Sequence, residues 1–212
     1  TALEIMLDFI KNVKEKLGFN TDMLNLGGGF GVRYTESDPK ISYTEKIREV
    51  ANSLNKQCAA LGLNTPKILT EPGRSLVADA GITLYTVGSV KEIAGYKNYV
   101  SVDGGMTDNP RYTLYESPYT VILASNAEKK CDFTADIAGR CCESGDLIGE
   151  GFKLPKPKRG DILAVLTTGA YNYSMASNYN RIARPPVVML NSERDYIAVK
   201  RESLSDICSL DV

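Results

Sequence analysis

Residues 23–31 read MLNLGGGFG, a short apolar run that passes without a break into glycines, and residues 67–74, KILTEPGR, repeat the arrangement. A strand ending in a glycine-bearing turn, then a helix, then a second strand ending the same way is the rhythm of a parallel α/β layer. The helix between the two strands carries its own signals. Ser42-Tyr43-Thr44-Glu45 is a capping box, Ile47, Val50, Ala51, Leu54, Cys58 and Leu61 recur at helical spacing, and Gly62 stops the run. Toward the N-terminus, Thr1-Ala2-Leu3-Glu4 is another capping box. It opens a helix with Leu3, Met6, Ile10, Val13 and Leu17 at helical spacing and Gly18 as its stop.

Toward the C-terminus the rhythm changes near Gly81. Residues 82–93, 99–102, 119–124, 162–166, 187–190 and 196–200 read as strands joined by turns, and 154–160 reads as a Pro/Lys-rich surface loop. The expected fold class is α/β plus all-β, with residues 1–80 forming the α/β part and 81–212 a mostly antiparallel β domain. Two βα units cannot close a (β/α)8 barrel, which needs eight, and no strand precedes the first helix. The expectation is that the chain is the C-terminal portion of a larger polypeptide.

Composition narrows the function. The chain is 43% hydrophobic and 24% charged with a formal net charge of -1, which favours neither nucleic acid nor an anionic membrane as partner. No apolar run approaches the ~18 residues of a membrane span, and no basic-then-apolar leader opens the chain, so a cytoplasmic setting is expected. The five cysteines are odd in number and never spaced C-x-x-C, which points away from a disulfide framework and a structural zinc site, and most are expected to be buried and inert. There is no histidine. Ser-His-Asp, Cys-His and histidine-metal sites are thereby excluded within the chain, and no metal is expected. Acid-base chemistry must use Cys, Tyr, Lys, Glu or a cofactor.

Five motifs supply such groups. In GGGFG the glycines permit positive φ and let backbone N–H groups approach an anion, although an isolated glycine run serves equally as a tight strand-to-helix turn. EPGR sets Glu71 and Arg74 around a Pro-Gly turn, either as an ion pair holding the turn or as two groups facing one ligand. DGGMTDNPRYTLY, residues 103–115, places Arg111 and Tyr115 four apart. On a helix they share a face and can grip a carboxylate, or simply stack as an exposed Arg on a Tyr. CESGD, residues 142–146, offers the Cys142 thiol as a proton donor beside a Glu143 carboxylate suited to an amine, against the default of a buried structural cysteine. Tyr171, in GAYNYSMASNYN, follows an apolar strand and either reaches an anion through its hydroxyl or sits in the core.

Taken together, LNLGGGFG, EPGRSLVADAG, VDGGMTDNPRYTLY, CESGD and GAYNYSMASNYN resemble, in order and spacing and over the length of the chain, the fold-type-III pyridoxal-phosphate-dependent decarboxylases. DGGMTDNPR with CESGD and SMASNYN is most similar to the branch that acts on meso-2,6-diaminopimelate. GGGxG or EPGR alone would also admit the ornithine, arginine and carboxynorspermidine branches. The resemblance implies the last βα units of a cofactor-carrying (β/α)8 barrel followed by a β domain, in a homodimer whose active sites are shared across the interface. It implies that Gly28, Gly29, Gly73, Arg74 and Tyr171 hold the cofactor phosphate and that Glu71 pairs with the pyridine nitrogen. Arg111 and Tyr115, with Arg74 and Tyr171, would hold the substrate's distal carboxylate. Glu143 would take the distal amine and Cys142 would be the catalytic proton donor, both reaching across the dimer. The implied reaction is loss of CO2 from the D-centre of an amino-acid substrate, giving L-lysine. The family's Schiff-base lysine and a ring-stacking histidine have no counterpart here, so the chain alone is expected to be inactive. A non-catalytic cofactor-binding or dimerisation module is the rival outside enzymes, and the joint presence of Cys142, Glu143, Arg111 and Tyr115 speaks against it.

Overall fold

Helical spacing at the N-terminus folds as its sequence predicts. In the computed structural model, which describes residues 2–212, helix α1 runs Ala2–Leu17; the box at Thr1 lies outside the described residues. Its buried face is set by Leu7 and Ile10, with Leu3 and Met6 packed alongside. Leu17 is 76% exposed, so the apolar stripe ends before the helix does. One turn earlier, Lys14 Nζ donates to the Gly62 carbonyl at 2.8 Å. Helix α2 (Tyr43–Leu61) starts on Ser42, whose side chain accepts the Glu45 N–H, and stops on a left-handed Gly62 with φ 64°. Strands β1 (Met23–Asn25) and β2 (Lys67–Leu69) pair in parallel, Leu24 opposite Ile68. Leu7, Ile10, Leu24, Leu54 and Cys58 close a core between helices and strands, each large apolar side chain contributing ~1.5–3 kcal/mol by its burial. These elements belong to one compact unit, residues up to 33 together with 39–76; residues 34–38 and 77–212 form another. A short helix α3 (Arg74–Val77) follows the EPGR turn.

The second unit is built on a six-stranded mixed sheet. Its strands are β3 (Ile82–Glu92), β4 (Asn98–Val102), β5 (Val121–Leu123), β6 (Phe133–Ala138), β7 (Leu147–Leu154) and β8 (Ile162–Leu166), in the order β5-β8-β3-β4-β6-β7. All neighbours are antiparallel except β4 and β6, which run parallel. The long β3 serves two partners: residues 82–86 pair with β8, and from Val87 onward the strand pairs with β4, the register shifting between Val87 and Ser89. Tyr85, Val87, Val100, Tyr119, Leu123, Ile137, Ile148 and Leu163 are among the residues of the core over this sheet. Tyr34 joins it edge-on to Tyr119, with ring centroids 5.4 Å apart, and its carbonyl accepts from Thr120 Oγ1 at 2.8 Å. Helix α4 (Arg111–Tyr115) lies in the connection between β4 and β5. An antiparallel hairpin, β9 (Val187–Leu190) and β10 (Asp195–Val199), precedes a final turn of helix α5 (Leu204–Ile207), which a Ser203/Asp206 capping box opens.

Three expectations need correction. Strands β6 and β7 go unpredicted, because buried Asp136 interrupts the apolar pattern of the first and Gly149 and Gly151 that of the second. The loop at 154–160 is not wholly a surface loop: Leu154 ends β7 in the core, and Pro155 and Pro157 are buried. Of the five cysteines, all free thiols, only Cys58 is buried; Cys141 is half-buried, and Cys131, Cys142 and Cys208 are exposed. Among the described residues no helix is long and apolar enough to cross a membrane.

Candidate active site

The two glycine motifs meet in the first unit. Past the parallel pair, Leu26 donates to the Leu69 carbonyl at 3.0 Å and Glu71 to the Gly27 carbonyl at 2.8 Å, so the ladder extends into both turns. This brings Gly28 so near the EPGR turn that a Cβ there would stand 2.5 Å from the Glu71 carbonyl oxygen. Gly27, Gly29 and Gly31 have φ of 71°, 85° and 79°, a conformation side chains resist. Among the described residues the N–H groups of Gly28 and Gly29 donate to no atom of the chain. Amides presented in this way suit an anion such as a phosphate. Asn25 orders the other half of this locus: its Oδ1 accepts the Gly27 N–H at 2.8 Å, and its Nδ2 donates to Glu71 Oε1 at 2.6 Å. Glu71 is thus a carboxylate held in place with one oxygen engaged, suited to a protonated ring nitrogen. Gly73 accepts the Leu76 N–H through its carbonyl at 3.1 Å, which sets the turn into α3 at Arg74. The first unit therefore presents donors for a phosphate and a carboxylate for a pyridine, and these fit pyridoxal phosphate.

In the second unit three motifs converge. Helix α4 forms where the Asn-Pro turn releases the chain, and Arg111 and Tyr115 share its face, with the guanidinium carbon 5.3 Å from the ring centroid. The arginine is not an exposed stacking partner of the tyrosine: it is 4% exposed. Its Nη2 donates to Ser117 Oγ at 3.2 Å, and its Nε is buried without a protein partner. Burial pushes the Tyr119 hydroxyl upward in pKa, against the opposing pull of Asn172, whose Oδ1 accepts from it at 3.4 Å, and of Arg111.

Residues 103–110 wrap around two carboxylates. Asp108 accepts from Gly105 N–H at 3.0 Å and from the Tyr85 hydroxyl; burial holds its carboxyl above the ordinary range despite these bonds. Asp146, the last residue of CESGD, is 3% exposed. Its Oδ1 accepts the Met106 N–H at 2.6 Å and its Oδ2 the Cys141 N–H at 2.7 Å. Only glycine fits on either side: a Cβ at Gly105 or Gly139 would lie 2.3 or 2.1 Å from its carboxylate oxygens. Thr113 Oγ1 on α4 donates to the Gly145 carbonyl at 2.9 Å, which ties the arginine-bearing helix to the cysteine loop.

Within that loop the two adjacent thiols differ. Burial and then the Asp146 carboxylate push Cys141 up to about 11, which keeps it a neutral thiol. Cys142 is exposed, and its N–H donates to Asn180 Oδ1 at 2.7 Å. Glu143 Oε1 accepts the Gly145 N–H at 3.4 Å. Tyr171, expected either at an anion or in the core, is 43% exposed, and its carbonyl accepts from Ser174 Oγ at 3.3 Å. Gly28, Gly29, Glu71, Gly73 and Arg74 thus gather in one unit and Arg111, Tyr115, Cys142, Glu143 and Tyr171 in the other.

Sequence reasoning missed the residues that hold these groups, namely Asp146, Asn180, Ser117 and Asn172. The available signal was residue type, since Asp, Asn and Ser in loops bond to nearby backbone.

Comparison with known proteins bears on this arrangement. Residues 13–169 match the family profile described as pyridoxal-dependent decarboxylase, C-terminal sheet domain. The chain is 49% identical over 211 residues to diaminopimelate decarboxylase of Bacillus subtilis, a match covering 100% of this chain and 48% of that protein. The diaminopimelate decarboxylase of Staphylococcus aureus is 45% identical over 191 residues, 90% of this chain and 45% of the relative. Among solved structures, M. jannaschii diaminopimelate decarboxylase in co-complex with L-lysine superimposes with a TM-score of 0.86 at 33% identity, covering 97% of this chain and 46% of that one. Vibrio vulnificus lysine/ornithine decarboxylase complexed with putrescine gives 0.69 at 26% identity, covering 86% and 47%. The chain spans about half the length of the curated relatives it matches. With residues 13–169, most of its length, inside this one profile, the chain belongs to the pyridoxal-dependent decarboxylases, in the part of the family described as its C-terminal sheet domain.

Proposed function

We propose that this chain supplies one half of a pyridoxal-phosphate-dependent decarboxylase that removes CO2 from the D-centre of meso-2,6-diaminopimelate to yield L-lysine. In this reading residues 1–80 are the last βα units of a (β/α)8 barrel and residues 81–212 its C-terminal β domain, and the enzyme is a cytoplasmic homodimer with shared active sites. The observation that carries it is the buried Arg111 guanidinium, stacked on Tyr115 and tied through Thr113 to the loop bearing Cys142 and Glu143.

Each residue then has a task. The amides of Gly28 and Gly29, with Gly73, Arg74 and Tyr171, hold the cofactor phosphate, and Glu71, steadied by Asn25, keeps the ring nitrogen protonated. Bound pyridoxal phosphate supplies the electron sink for the pair left behind when CO2 departs. Arg111 grips the distal carboxylate through its planar fork, helped by Tyr115, Arg74 and Tyr171. Glu143 takes the distal ammonium. Cys142 Sγ, in the partner's active site, gives a proton to the carbon that has lost CO2.

The test is CO2 release by the full-length protein from a substrate panel. Decarboxylation of meso-2,6-diaminopimelate well above L-ornithine, L-arginine and carboxynorspermidine supports the reading, and faster turnover of any of the other three overturns it. The 212-residue chain alone is expected to release no CO2, because no lysine in it occupies a Schiff-base context; turnover by that chain would show otherwise.

A further inference from the structure

We infer that Asn180 is a positioning residue for Cys142, acting with Asp146 as one of two side-chain clamps on consecutive amides of the cysteine loop. This rests on the reading of Cys142 as the proton donor. Asp146 Oδ2 accepts the Cys141 N–H and Asn180 Oδ1 accepts the Cys142 N–H, both at 2.7 Å. Two oxygens from separate segments thereby fix successive peptide planes, and with them the direction in which the Cys142 Cα–Cβ bond leaves the backbone. Without the clamps an exposed loop of this length would sample many orientations.

Each clamp is itself held. Asp146 is buried, and its other oxygen is bonded to Met106 N–H. Asn180 stands in a left-handed turn with φ of 54°, followed by Arg181 at 57°. Around that turn the chain is anchored independently of the cysteine. Arg181 makes a bidentate pair with Asp211 at 2.7 and 3.1 Å, Asn178 Nδ2 donates to Glu202 Oε2 at 2.5 Å, and Ser177 donates to the Thr107 carbonyl at 2.8 Å. The C-terminal segment therefore braces the residue that braces Cys142. An acceptor held this firmly on an exposed loop contributes little to global stability; it sets geometry instead.

The experiment uses two variants of the full-length enzyme with its cofactor. Asn180→Gly keeps the left-handed backbone and removes the acceptor, whereas Asn180→Asp keeps both the conformation and an acceptor oxygen. Three quantities are read: kcat and KM for meso-2,6-diaminopimelate, the stereochemical purity of deuterium incorporated into L-lysine formed in D2O, and the rate of Cys142 alkylation by iodoacetamide, followed by peptide mass. Asn180→Gly should lower kcat about tenfold, the scale of one lost hydrogen bond, with KM little changed, scramble part of the label and raise the alkylation rate several-fold. Asn180→Asp should restore all three. Wild-type alkylation and kcat in Asn180→Gly overturn the inference. Cys142→Ala decides the underlying reading separately: if it retains wild-type kcat, Cys142 is not the proton donor. The clamp is then judged on alkylation alone, standing if the rate rises in Asn180→Gly and failing if it does not.

Discussion

A guanidinium removed from water is costly unless its donors are engaged. Arg111 has Ser117 on Nη2 and the Tyr115 ring beside it, yet its Nε is buried without a protein partner. A carboxylate is the ligand whose two oxygens answer that geometry. Arg111→Lys in the full-length protein keeps the charge and loses the fork, so kcat/KM for meso-2,6-diaminopimelate should fall about 10- to 100-fold; steady-state kinetics with the wild-type value would remove Arg111 from the substrate site. Gly28 makes a different demand, for space alone. Gly28→Ala puts a methyl 2.5 Å from the Glu71 carbonyl oxygen and must part the two turns, at a cost of ~1–3 kcal/mol. Both the melting temperature and the affinity for pyridoxal phosphate, titrated by absorbance on the full-length apoenzyme, should drop. An unchanged affinity would separate the loop from the cofactor.

At the scale of elements, the β4, β6 and β7 edge is joined by a polar chain. Asp136 on β6 accepts from Lys97 Nζ and from Gly151 N–H, both at 2.8 Å, and Lys97 also reaches Glu150 on β7, which accepts from the Tyr112 hydroxyl on α4. Asp136→Ala strands the Gly151 amide and should cost ~2–3 kcal/mol, visible as a lower urea midpoint by circular dichroism; a change within ±0.5 kcal/mol, the range of ordinary surface substitutions, would make the network ornamental. The C-terminal brace responds to pH. Bonds from Arg184 and Asn178 lower Glu202 from its ordinary value of 4.5 to about 2. A carboxylate depressed in the fold stabilises it above the unfolded value, and that contribution drains away as pH falls from 4.5 toward 2. Protection of the amides of residues 178–184, taken relative to intrinsic exchange at each pH, should fall across that window, and Glu202→Gln should flatten the dependence.

The same elements show what a sequence discloses. β8 is continuous and apolar and is read at its true bounds, and the parallel β1 and β2 follow from strand-glycine punctuation. β6 escapes because the Asp136 that secures it looks, in one dimension, like a loop residue. The motif bearing Arg111 is legible since its helix is local. The Asn180 clamp is not, because it lies 38 residues from the amide it holds, and the Asp146 clamp, though only five residues from Cys141, is fixed by Met106 from 40 residues away.

Across the whole molecule, one strand pairing governs how the site comes into being. β4 and β6 lie parallel, with Val100 opposite Ile137, so no tight turn can join them and the chain must travel out and back between them. That excursion carries Asp108, Arg111 and Tyr115. Closing it spends loop entropy before any ladder bond is made, which marks the pairing as a late and slow event in folding. Weakening it at Val100→Ala should therefore accelerate unfolding far more than it retards refolding in a chevron experiment. The arginine arm would be the last part of the domain to become ordered and the first to be lost, so a nascent or heat-stressed chain would let the Arg111 guanidinium swing free while most of its sheet still stood.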